Sequence, residues 1–182
     1  MRYKVKNYDR FSKLLDGYIN DIKETLNTDI EIKWVDKKTL LIGLFNINNE
    51  VYQIFCKNYG EDVWSFKFQH FNKNTSLLSH DLTGFNHSNF SILSVVIKGF
   101  EYLINAKNPN AIVYGAGDES KGRKNLYSSF CNDISKKYNY EKINRLESNK
   151  QLFVNFKAGF NADILFDKIK LIVDDSFGID SI

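Results

Sequence analysis

The chain has 182 residues, 43% of them hydrophobic and 15% aromatic, which suits one well-cored domain and excludes a disordered chain. Its net charge of +3 comes from 25 basic and 22 acidic residues, yet only Arg2, Arg10, Arg123 and Arg145 are arginines. Nucleic-acid readers favour the flat arginine fork, so nucleic-acid binding is not expected. No apolar run approaches the ~18–20 residues of a membrane span, and the opening "MRYKVKNYDRF" carries no apolar signal segment. The expectation is a soluble, cytoplasmic protein with no membrane contact. Cys56 and Cys131 are too few and too far apart for a disulfide framework or a zinc site, and read as reduced, half-buried thiols.

In chain order, residues 8–26 place Phe11, Leu14, Leu15, Tyr18, Ile19, Ile22 and Leu26 at helical spacing. Four strand-like runs follow: "DIEIKWV" (29–35), "TLLIGLFNI" (39–47), "EVYQIFCKN" (50–58) and "VWSFKFQHF" (63–71). In the fourth, Trp64, Phe66, Phe68 and His70 share one face. "NINNE" and "NYGED" supply Asn and Gly where hairpin turns need positive φ, so these runs form an antiparallel meander. Beyond "SLLSHDLTG" the period lengthens. Phe90, Leu93, Ile97, Phe100 and Ile104 form one helical stripe over 88–108, with Ser88 or Asn89 as its cap.

"NPN" stops that helix, "AIVYGAG" reads as a buried strand, and 120–138 as a second helix carrying Leu126, Tyr127, Phe130, Cys131, Ile134 and Tyr138. Gly115 and Gly117 let the chain turn out of the strand, with Asp118 or Ser120 capping the helix. Ser120 stands where a G-x-G-x-x-G dinucleotide signature needs its third glycine, so this is a turn and not a phosphate cradle. "KQLFVNFKA" (150–158) is a last strand; residues 159–182 read as a short helix or an added strand. A meander followed by helix, strand, helix and strand makes the chain α+β, a mainly antiparallel sheet with helices packed on it. No linker divides it, so residues 1–182 form one domain, with 1–28 as its N-terminal helical segment. The helix over 90–106 is a crossover, so "AIVYGA" is expected to run parallel to "LLSHDLT".

This order of elements resembles the GNAT (Gcn5-related N-acetyltransferase) fold. "SHDLTGFNHSNFSILSVVIKGFEYL", "NPNAIVYGAG" and "GRKNLYSSF" with "KYNYEKI" resemble a group of small phage-encoded proteins, over about residues 38–156. The resemblance implies a fold and a phage setting more than a reaction. In GNAT enzymes the pyrophosphate of acetyl-CoA rests on the backbone amides that open the first central helix. The matching stretch here contains Gly84, Phe85, His87, Ser88 and Asn89. It has one glycine and neither the arginine nor the glutamine of the family pattern, so useful acetyl-CoA binding is not expected. A tyrosine on the next helix, matched by Tyr127, acts in the family as the acid that protonates the departing thiolate; an aromatic on that stripe is otherwise core.

Glu61 or Asp62 at a turn, and His70 or His80 near strand ends, are candidate general bases, and no spacing selects among them. His70, His80 and His87 do not form a metal-ligand pattern. Arg123 sits where a helix dipole disfavours a cation, so it is expected either to pair with Asp118, Glu119 or a strand carboxylate, or to face a groove and bind an anionic partner. The expected function is protein binding, as a virion-associated component or a modulator of a host or phage protein, located in the host cytoplasm or packaged in a virion. The alternative is an active N-acetyltransferase using acetyl-CoA, with Tyr127 as its acid.

Overall fold

A computed structural model describes residues 30–47, 50–72, 77–79, 87–116, 121–147 and 150–177; the expected helix over 8–26 lies outside them. The elements are β1 (Lys33–Asp36), β2 (Leu40–Ile47), β3 (Glu50–Asn58), β4 (Val63–Asn72), β5 (Leu77–Ser79), α1 (His87–Lys107), β6 (Ala111–Ala116), α2 (Lys121–Tyr138), β7 (Tyr140–Glu147), β8 (Lys150–Lys157) and α3 (Ala162–Phe177). The strands form one sheet in the order β1-β2-β3-β4-β6-β8-β7, with β5 attached to β4. β4 and β6 are parallel, and every other pair is antiparallel. The chain is therefore α+β with a mainly antiparallel sheet, as its patterning predicts.

Alternation along the strands makes two faces and two cores. Leu41, Phe45, Tyr52, Ile54, Cys56, Trp64, Phe66, Phe68, Ile112, Tyr114 and Phe153 point to one side. There they meet Ile92, Val95, Val96, Phe100, Leu103 and Ile104 of α1, and Phe130, Cys131 and Ile134 of α2. Gly99 makes that contact close, since a Cβ on it would stand 2.4 Å from Ile54 Cδ1. Val63, Ala111, Val113, Leu152 and Val154 point to the other side and meet Leu165, Ile169 and Ile172 of α3. Those three recur at i, i+4 and i+7, one stripe of a helix. Each contributes about 1.5–3 kcal/mol by burial.

The structure decides one open reading and corrects three others. Of the short helix or added strand expected in residues 159–182, it shows the helix, α3, whose buried stripe is offset by one from the apolar residues Ile164 and Phe166. β7 was not expected; "YEKINRLE" lacks alternation because it is an edge strand, with only Tyr140 buried and Ile143 half-buried. Gly115 lies inside β6 rather than in the turn after it, and a Cβ there would stand 3.0 Å from Leu152 Cδ2. Finally, "AIVYGA" runs parallel to β4, while β5 within "LLSHDLT" runs antiparallel to β4 and so opposite to β6. The crossover helix joins β6 to β4, because the chain first doubles back along β4 as β5.

Candidate functional site

β4 and β6 pair over only three positions, Val63↔Ala111, Trp64↔Ile112 and Ser65↔Val113. β4 then continues to Asn72 and β6 to Ala116 without further pairing between them. β3 follows the far edge of β4 as far as Val51↔Phe71. β5, opposite His70, Phe71 and Asn72, must therefore occupy the edge that faces β6. Among the described residues this leaves 66–69 of that edge bare, between the departure of β6 and the arrival of β5. The fork opens at the carboxyl end of the parallel pair, where α1 and α2 also begin, the place where sheets with crossover helices receive ligands.

On one side the fork is floored by aromatic rings. Phe66 stacks on Phe100 at 3.6 Å, Phe100 meets Tyr114 edge-on at 5.0 Å, and Tyr114 meets Tyr127 at 5.8 Å. Tyr127 also touches Phe153 at 6.0 Å and Phe130 at 6.4 Å, and is half-buried. The Tyr114 hydroxyl donates to Asn155 Oδ1 at 2.7 Å. Asn155, wholly buried, donates through Nδ2 to the Cys131 carbonyl at 2.9 Å and to Ser135 Oγ at 3.0 Å. Burial first, then the Cys131 thiol, holds the Tyr114 phenol far above its ordinary range, and burial raises Cys131. Tyr114 and Cys131 thus stay uncharged, and this network joins α2 to the sheet.

At the rim, His70 Nε2 lies 2.8 Å from Glu50 Oε2, with the imidazole 22% and the carboxylate 46% exposed. The Tyr52 ring sits 5.0 Å from the imidazole, and its phenol is raised by burial and by the charge of Glu50. A carboxylate that orients an accessible imidazole makes a competent proton acceptor. Tyr127 is not beside it. His70 lies four residues past Phe66 on β4, roughly 13 Å along the strand, whereas Tyr127 joins the opposite end of the ring series that starts at Phe66. The structure thus puts His70 and Tyr127 on one face of the sheet without bringing them together.

Glu61 and Asp62 occupy the turn before β4, with φ of 54° and 52°. That turn is at the amino end of β4, away from the fork. His80, Gly84 and Phe85 lie outside the described residues. His87, Ser88 and Asn89 form the first turn of α1 and Arg123 belongs to the first turn of α2, and their side chains are likewise outside what is described, as are Gly117, Asp118, Glu119 and Ser120. Among the described residues no group of three His, Cys, Asp or Glu is placed to hold a metal ion, and no helix is long and apolar enough to cross a membrane.

Sequence reasoning missed Glu50 and Asn155. Glu50 is recoverable from the hairpin register, which sets Tyr52 opposite His70 and leaves Glu50 on the same face. Asn155 interrupts the apolar run "LFVNF", and a polar residue inside a buried strand is itself a signal of a bonded network. No family model, curated protein or solved structure matches this chain.

Proposed function

We propose that this chain is a GNAT-like domain, of phage or mobile-element origin, that has given up acetyl-CoA chemistry and works by binding a protein partner. The observation that carries the reading is the position of β5. A ligand of a sheet with crossover helices enters the crevice at the carboxyl ends of its parallel strands. Here a strand of the protein itself lies along β4 in that fork, over residues 70–72. The sheet order and the single short parallel pair support the GNAT-like part of the reading. The weak match of residues 84–89 to the phosphate-binding pattern supports the loss of the cofactor. A virion component and a modulator of a host or phage protein both fit a domain of this kind.

The His70–Glu50 pair favours a second reading, an N-acetyltransferase with an unusual cofactor loop. In it, His70 accepts the proton of the attacking amine and Tyr127 supplies one to the thiolate, once movement at the fork has shortened the gap between them. Calorimetric titration with millimolar acetyl-CoA separates the two. The binding reading expects no saturable heat; a dissociation constant in the low micromolar range overturns it and promotes the enzyme.

A further inference from the structure

The outer edge of β7 has a definite hydrogen-bonding parity. The amide of Lys157 donates to the Asn110 carbonyl at 2.9 Å, on the β6 side of β8. Backbone groups of successive residues alternate between the two edges of a strand. Residues 152, 154 and 156 of β8 therefore address β7, where they face Arg145, Ile143 and Glu141. The N–H and C=O of Lys142, Asn144 and Leu146 point outward, and among the described residues β7 pairs with β8 alone.

We propose that two copies of this chain join antiparallel along β7, about a two-fold axis at Ile143. Directly opposed residues of an antiparallel pair are either both hydrogen-bonded to each other or both not. A symmetric pair must then be centred on a residue rather than between two. Centring on Ile143 sets Glu141 opposite Arg145 of the second copy, twice over, and Ile143 opposite itself. Lys142 and Asn144 then exchange outward-pointing backbone bonds, and Leu146, 65% exposed, comes opposite Tyr140. Centring on Lys142 or Arg145 opposes two like cations, and centring on Asn144 opposes Glu141 to Glu147. Like charges directly opposite destabilise a pair and unlike charges stabilise it.

Charge on an edge strand ordinarily blocks stray pairing. Here the same charges disfavour the registers centred on Lys142, Asn144 and Arg145 and favour the one centred on Ile143, and such repulsion against alternatives is how a self-recognising edge limits its partners. Glu141 and Arg145 are both exposed. The Arg145 guanidinium lies over the Phe166 ring of α3 at 5.0 Å, and Phe166 is itself 40% exposed. That contact holds the cation on the face it shares with Glu141 and Ile143 and adds apolar surface beside the new pair.

Sedimentation equilibrium of the full chain tests this directly. The wild type should sediment as a dimer. Glu141→Arg and Arg145→Glu should each weaken dimerisation about tenfold or more, and the double swap should restore it. Asn144→Pro removes an outward amide that β8 does not use, so it should give a folded monomer, with folding checked by circular dichroism. A wild type that stays monomeric at every concentration overturns the proposal, even if this edge captures a foreign strand. So does a dimer indifferent to these substitutions, or one that the double swap fails to restore.

Discussion

The two ends of the parallel pair β4–β6 are built differently. At the amino end, the Asp62 carbonyl accepts from the amides of Asn110 and Ala111, and Asn110 Nδ2 donates to the Glu61 carbonyl at 3.0 Å. Lys157 Nζ reaches the Asn108 carbonyl at 2.8 Å, and the Tyr140 hydroxyl donates to the Pro109 carbonyl at 2.6 Å. Asp175 of α3 accepts from Lys57 at 2.8 Å and from the Tyr59 hydroxyl at 2.5 Å. Turns, strand starts and a helix end are thus closed on one another. At the carboxyl end the strands part, β5 takes one edge, and the one imidazole–carboxylate pair of the described residues sits half-exposed. The hydrogen bonds and the ion pair that tie separate elements together are thus concentrated where the strands begin.

The sharpest way to break this contrast is to compare substitutions at the two ends. Asn155→Ala, beside the closed end, strands the buried Tyr114 hydroxyl and opens a cavity; it should cost about 3 kcal/mol, read by urea denaturation. Tyr140→Phe removes one buried hydrogen bond to a carbonyl and should cost about 1 kcal/mol. Asp175→Asn should cost about 0.5 kcal/mol, because the ion pair with Lys57 is two-fifths exposed on both sides and screened by solvent.

The Asp175 tie also carries a pH dependence. Hydrogen bonds from Lys57 and Tyr59 hold the Asp175 carboxyl below its ordinary value. Its contribution is therefore present above the unfolded value, about 3.9, and is lost as pH falls through the lower folded one. The wild type and Asp175→Asn should differ at neutral pH and converge in acid, a trend that thermal melts between neutrality and pH 3 would follow. The smallest effects belong to the open end. Glu50→Gln should change stability by under about 0.5 kcal/mol, as a half-exposed pair does. A loss comparable to Asn155→Ala would erase the distinction between the two ends.

How much of this was legible in the sequence varies with what each residue does. The alternation of Trp64, Phe66, Phe68 and His70 announced β4 because one face of that strand is buried. The helix of α1 was legible too, but its stripe only in part: Phe100 and Ile104 are buried and Ile97 is half-buried, while Ile92, Val95, Val96 and Leu103, outside the expected stripe, are buried. β7 was hidden because Glu141, Lys142, Asn144 and Arg145 serve an edge rather than a core, and edges carry no hydrophobic period. α3 was ambiguous because exposed Phe166 and Leu171 blur its buried stripe. At the site, Tyr127 is a candidate through resemblance alone, whereas the pairing of His70 with Glu50 spans twenty residues and exists only through the β3–β4 register. The direction of β5 was misread because a crossover rule says which strands run parallel, not which of two preceding strands the helix joins.

Amide hydrogen exchange across residues 66–79, with and without acetyl-CoA, tests most directly whether β5 holds the outer part of the fork, along residues 70–72. The account predicts slow exchange at Leu77–Ser79 and along the end of β4, unchanged when acetyl-CoA is added. Exchange at Leu77–Ser79 as fast as in an unstructured chain, together with new protection along β4 when acetyl-CoA is present, would contradict it.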